Sequence, residues 1–168
     1  MNWIPGMRVT RRALLIVALL FICVGCDQVT KSMARQNLAE SGAISFPGDV
    51  FRLQYAENSG AFLSLGAGMP ESFRYWLFTV STGFLVTGAL IFLIKSRKIT
   101  QLQSVALCFM LGGGVGNLID RVCNEGRVID FMNLGIGSLR TGVFNVADIA
   151  ILVGCILFFA LQIREGKA

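Results

Sequence analysis

Four apolar runs, over residues 12–30, 73–94, 102–120 and 143–163, limit the fold of this chain more than any other feature. Each is close to the ~20 residues with which an α-helix crosses a bilayer. Of the 168 residues, 54% are hydrophobic and only 15% charged, with a mean hydropathy of +0.67. Soluble domains carry about a quarter charged residues, and a core of this size does not absorb so much apolar surface. The excess must face lipid. The expected fold is a membrane all-α core of four transmembrane helices with a small extracytoplasmic β-containing subdomain, forming one domain with outer loops at 32–72 and 121–142.

Charge placement sets the orientation. Arg8, Arg11, Arg12, Lys95, Arg97, Lys98, Arg164 and Lys167 flank one set of helix ends, against the single acid Glu165, while the other acids lie in or beside the two long loops. The positive-inside rule then puts both termini in the cytoplasm and both loops outside. The net charge of +5 does not indicate nucleic acid, because the basic residues cap apolar runs instead of sharing a face. Histidine is absent, which removes Ser-His and Cys-His nucleophiles and the commonest zinc ligand. No metal or other cofactor is expected. Cys23, Cys26, Cys108 and Cys155 read as small buried hydrophobes in apolar runs, and with Cys123 alone in polar sequence no disulfide framework is expected.

The first run also reads as a signal peptide, with Val24-Gly25-Cys26 resembling the small-residue site before a lipid-modified cysteine. Cleavage there would leave a chain that is still strongly apolar, so the helix is expected to continue to Lys31. Asp27 and Lys31, spaced i, i+4, are placed to pair on one helix face, either as a surface ion pair or with Asp27 reaching into a site at the membrane surface. Between the first two spans, Phe51 to Tyr55 alternates like a half-exposed strand after the Pro47-Gly48-Asp49 turn signal. Tyr75 and Trp76 suit an interfacial belt. In the third span, Gly112 and Gly116 are expected to mark close helix packing.

The chemistry gathers between Gly112 and Asp148. Asp120, Asp130 and Asp148 sit in or beside apolar sequence, where a carboxylate is costly unless paired, hydrogen-bonded or protonated. By the charge bias these acids and Asp27 all fall near the outer surface. Asn117 precedes Asp120 by three residues, and Asn145 precedes Asp148 by three, so helical spacing supplies each acid with an amide neighbour. Asp148 lies more than a turn inside its run on this reading. Without histidine, the acid–base machinery available is a pair of aspartates sharing a proton, which can hydrolyse a peptide bond. Ion pairing of these acids with Arg121, Arg127 and Arg140 in a folded loop accounts for the spacing equally well. An ion path in a small multi-pass transporter or channel is the rival from another class. A G-x-G-D protease is disfavoured because Asn117 follows Gly114-Val115-Gly116.

Asp27 with Lys31, NSGAF, GGGVGNLIDR, VIDF and FNVAD, in that order, resemble the blocks of the bacterial lipoprotein signal peptidases, also called signal peptidase II. The match spans residues 27–148. The resemblance implies an aspartic endopeptidase of the bacterial inner membrane that cuts a prolipoprotein just before a cysteine carrying diacylglycerol. Its partners would be such prolipoproteins and membrane lipid, with no nucleic acid. The resemblance assigns Asp130 and Asp148 as the catalytic pair, with Asp120 as an ion-paired scaffold group beside Arg121. It further implies that Asn58, Asn117 and Arg121 bind the substrate backbone and that Asn145 orients Asp148. Gly60 would let the outer loop approach the substrate, with Asp27 and Lys31 in support.

Overall fold

The first helix is too long for a bilayer, and its excess explains how the small sheet is held. In a computed structural model, which describes residues 5–61, 66, 68–96 and 99–165, helix α1 runs over Pro5–Leu38. The side chain of Arg8, the residues Arg97, Lys98 and Lys167, and most of 62–67 in the loop before the second span lie outside the described residues. Three further helices are long and apolar enough to span: α2 (Glu71–Lys95), α3 (Gln101–Cys123) and α4 (Val146–Glu165). Four strands form one antiparallel sheet in sequence order: β1 (Ile44–Ser45), β2 (Phe51–Asn58), β3 (Val128–Ile136) and β4 (Leu139–Arg140).

Helix α1 does not end near residue 30, as hydropathy predicts, but continues for two more turns. Residues 32–38 are polar on average, yet Ala34 and Leu38 lie i, i+4 and are buried against Phe131 of β3, with Leu53, Tyr55, Met132 and Val146 around them. The helix thus carries the sheet on its last turns. At its other end Arg12 donates to the carbonyls of Ser96 (2.8 Å) and Leu93 (3.0 Å), satisfying two acceptors at the end of α2. Helix α2 contains a π-helical stretch over Tyr75–Val80, and Tyr75 and Trp76 are exposed as an interfacial belt requires. Ile22, Cys26, Val29 and Met33 form an exposed stripe on α1, so Cys26 faces outward and is not the buried hydrophobe expected.

Helix α3 starts with a capping box. Thr100 accepts from the Gln103 amide while the Gln103 side chain accepts from the Thr100 amide. This is the most buried helix of the four, and its glycines are what permit that. A Cβ on Gly112 would collide with Cys23 of α1, and one on Gly113 with the Ala147 carbonyl of α4. The neighbour at Gly113 is backbone, which cannot rotate away. Gly113→Ala should therefore lower stability by about 1–3 kcal/mol, read as a drop in the thermal midpoint of the detergent-solubilised protein. A midpoint equal to the parent's would show that α3 and α4 do not pack this tightly.

Candidate active site

Asp130 comes from β3, where Val128 to Phe131 are buried without a break, so the strand is covered on both faces. It pairs with Ala56 across the sheet, just past a register shift between Leu53 and Ala56. Asp148 comes from the start of α4. The two are brought together by a bridge between Met132 and Phe144, in which each amide donates to the other's carbonyl at 2.8 Å. Fixing Phe144 against β3 sets the next residue, Asn145, beside Asp130.

Asn145 is fully buried and makes the junction. Its Nδ2 donates to Asp130 Oδ1 at 2.6 Å, and also to Asn117 Oδ1 (3.1 Å) and the Ile129 carbonyl (3.3 Å). Its Oδ1 accepts from the Asp148 amide at 2.9 Å, while Asp148 Oδ2 accepts from the Asn145 amide at 3.2 Å. That reciprocal pair is a capping box. This departs from the expectation that Asn145 and Asp148 share a helix face within the span. Helix α4 begins only at Val146, and Asp148 sits in its first turn rather than more than a turn inside.

The remaining acceptor oxygens take neutral donors. Asn58 Nδ2 donates to Asp130 Oδ2 at 2.9 Å, and Asn117 Nδ2 to Asp148 Oδ1 at 3.0 Å. Asn117 therefore serves Asp148 across the bundle, not Asp120 on its own helix. Asp130 is 2% exposed. Burial, reinforced by the Asp148 charge and opposed by its Asn58 and Asn145 donors, pushes the Asp130 carboxyl up to about 7.

Asp27 and Asp120 are held quite differently. Lys31, 1% exposed, donates to Asp27 Oδ2 (2.8 Å), Asp120 Oδ2 (2.9 Å) and Asn117 Oδ1 (2.8 Å). The i, i+4 pair is present as predicted, but buried rather than at the surface. The Ala147 amide at the start of α4 donates to Asp27 Oδ1 at 2.9 Å, and the Ile129 amide of β3 to Asp120 Oδ2 at 2.9 Å. A Cβ on Gly116 would enter the space of the Asp27 carboxylate, so this glycine makes room for a side chain as well as for helix packing. Gln28, which the sequence reading passed over, donates to Asp27 Oδ2 (3.2 Å), Asp120 Oδ1 (3.0 Å) and the Gly116 carbonyl (3.1 Å). Its place inside Asp27-Gln28-x-x-Lys31, a polar cluster within an apolar run, is the signal that marks it.

Asp120 is thus paired with Lys31 and not with Arg121, the partner expected from adjacency. Arg121 donates to the Gly60 carbonyl (3.0 Å) and the Asn117 carbonyl (3.4 Å), and its Nε has no partner among the described residues. The Gly60 amide in turn donates to Asn58 Oδ1 at 2.9 Å, so a single turn ties Asn58, Gly60 and Arg121 together. Arg127 pairs with Glu57 and Arg140 with Asp49, which leaves the loop arginines without the role of neutralising Asp130 or Asp148. An open cavity of about 550 Å³ lies beyond Arg121, between it, Glu125 and the Tyr75–Trp76 start of α2. Among the described residues no group of three or more Cys, Asp or Glu is arranged to hold a metal ion.

A family profile described as signal peptidase (SPase) II matches residues 19–164. The chain is 34% identical over 152 residues to the lipoprotein signal peptidase of Bacillus pumilus, covering 90% of this chain and 93% of that protein. It is 36% identical over 155 residues to the lipoprotein signal peptidase of Symbiobacterium thermophilum, covering 92% and 98%. A solved structure of a bacterial membrane enzyme superposes with a TM-score of 0.77 at 25% identity, covering 90% of this chain and 89% of that one. Taken with the four spans, these similarities show that the chain belongs to the signal peptidase II family of bacterial membrane aspartic peptidases.

Proposed function

We propose that this enzyme removes signal peptides from diacylglyceryl-modified prolipoproteins, cutting just before the lipid-modified cysteine, with Asp130 and Asp148 as the catalytic pair. The observation that carries the assignment is the division among the four acids. Asp27 and Asp120 are locked by the Lys31 ammonium, whereas Asp130 and Asp148 receive only amide donors around Asn145. Two carboxyls with no cation bonded to either among the described residues can share one proton. One then takes a proton from the attacking water as the other gives its proton to the scissile carbonyl oxygen; the tetrahedral intermediate collapses as the departing amine is protonated. Arg121, which lines the open cavity and is anchored on the Gly60 carbonyl, is the group assigned to hold a substrate carbonyl. In the same reading the termini are cytoplasmic and the site lies at the outer leaflet, which the basic residues at the opposite helix ends support.

The direct test is purified protein in detergent, given a prolipoprotein with and without its diacylglyceryl group. Cleavage before the modified cysteine, with the unmodified form left intact, is the expected result. Cleavage of neither form, with ion flux across liposomes instead, would favour a transporter.

The Asp130 carboxyl predicts a pH dependence. A reaction that needs the shared proton should lose kcat/KM as pH rises through about 7, approaching tenfold per unit well above it. A profile flat from pH 6 to 9 would count against the pair. The same group makes a stability statement with the opposite sign to a salt-bridged aspartate. Its folded value lies above the ordinary ~3.9, so the native state retains a proton that the unfolded chain releases. Its contribution is fully present below about pH 4 and declines as pH rises towards about 7, then levels off.

A further inference from the structure

At the end of the bundle opposite the four aspartates, an open cavity of about 490 Å³ is lined by Arg11, Arg12 and Leu15 of α1, by Ile99, and by Gln101 and Ser104 of α3. The rise along α1 from Arg12 to Asp27 is roughly 22 Å, so this cavity is separate from the candidate active site. Its charge is unbalanced. Arg12 is half-buried and bonded through both terminal nitrogens to neutral carbonyls alone. Arg11 is exposed and enters no ion pair among the described residues. Among the described residues no carboxylate lines the cavity, and Glu165, the acid at this end of the bundle, is engaged by Gln103 at 3.0 Å. Two neighbouring arginines line the cavity with no counter-charge among the described residues, and a half-buried cation in that state is improved by an anion.

The depth of the cavity identifies the kind of anion. One span ends at Lys95 and the next begins at Gln101, so its polar wall lies where lipid headgroups lie, while Leu15 and Ile99 supply an apolar side towards the hydrocarbon. The positive end of the α3 dipole adds to the field of the arginines. We infer that this cavity binds the phosphodiester headgroup of an anionic membrane phospholipid, wedged between α1 and the start of α3. Four polar and two apolar lining residues do not select a lipid over an inorganic ion by themselves. The apolar side and the membrane depth do.

The test uses the full chain in neutral detergent, titrated with phosphatidylglycerol, phosphatidylcholine or inorganic phosphate, and followed by thermal unfolding and native mass spectrometry. Phosphatidylglycerol should raise the midpoint and remain bound in the gas phase, with phosphatidylcholine doing neither. Arg11→Gln, which breaks no observed contact, should weaken phosphatidylglycerol retention about fivefold. Gln101→Glu separates binding from folding, because a carboxylate in the first helical turn favours the helix but repels a phosphate. It should leave the lipid-free midpoint unchanged or higher and weaken the lipid by a similar factor. Equal effects of the two lipids, parent-like retention by both variants, or a shift with inorganic phosphate equal to that with phosphatidylglycerol would each overturn the proposal.

Discussion

Asp130→Asn and Asp148→Asn should each reduce cleavage of a diacylglyceryl-modified prolipoprotein by roughly 10²–10⁴-fold while the protein still folds. Asparagine keeps the shape of the side chain and removes the proton chemistry. It also presents one donor where a carboxylate had only acceptors. At 130 that donor meets the amide of Asn58 or of Asn145, and at 148 that of Asn117 or the Asn145 backbone. Losing one such bond and opposing two donors costs about 1–3 kcal/mol, so a lower midpoint is expected alongside the catalytic loss. The control is Asp120→Asn. Its oxygens accept from Lys31, Gln28 and the Ile129 amide, so this variant should lose stability first and activity only to the extent that β3 shifts. An Asp130→Asn protein that still cleaves, beside a folded Asp120→Asn protein that does not, would sink the assignment of the pair.

The four spans were legible because lipid solvation writes itself into a continuous apolar run, which needs no knowledge of a partner. The end of α1 was not, because Ala34 and Leu38 are buried by β3, a strand more than ninety positions away in a polar loop. Local spacing misled for the same reason at Asp120. Residues i and i+1 on a helix point in different directions, so Arg121 was never on the correct face. The cation that serves Asp120 arrives from α1, and no local rule connects the two helices. Asn145 and Asp148 are joined, but not through the geometry their spacing suggested. An Asn followed three residues later by an acid, immediately before an apolar run, is a helix-start signature. Reading it as such would have put Asp148 at the mouth of the helix. What no spacing rule supplies is the Met132–Phe144 bridge, since it joins a strand to an irregular segment and leaves no periodic trace.

Lys31→Met should be the most destabilising single change in the molecule, and its effect follows from counting the ammonium protons. All three are used, on Asp27, Asp120 and Asn117, and the side chain is 1% exposed. Methionine fills a similar volume but strands two carboxylates in a buried site. Breaking a buried ion pair by deleting one partner costs about 3–5 kcal/mol. For a chain of this size that corresponds to a drop of about 6–20 °C in the thermal midpoint. Catalytic loss should accompany it, because the network holds both elements that carry the proposed catalytic carboxyls. Asp27 caps the first turn of α4, which bears Asp148, and Asp120 holds the amide of Ile129, the residue before Asp130. Lys31→Arg should not rescue, since a planar fork does not place three bonds around one nitrogen. The double variant Lys31→Met/Asp120→Asn removes one stranded charge as well as the cation, so it should regain part of the midpoint lost by Lys31→Met alone. A double-mutant cycle in detergent measures that coupling. If the two changes proved additive, or Lys31→Met melted within two or three degrees of the parent, the buried cluster would not be the joint that fixes β3 and α4 around the catalytic pair.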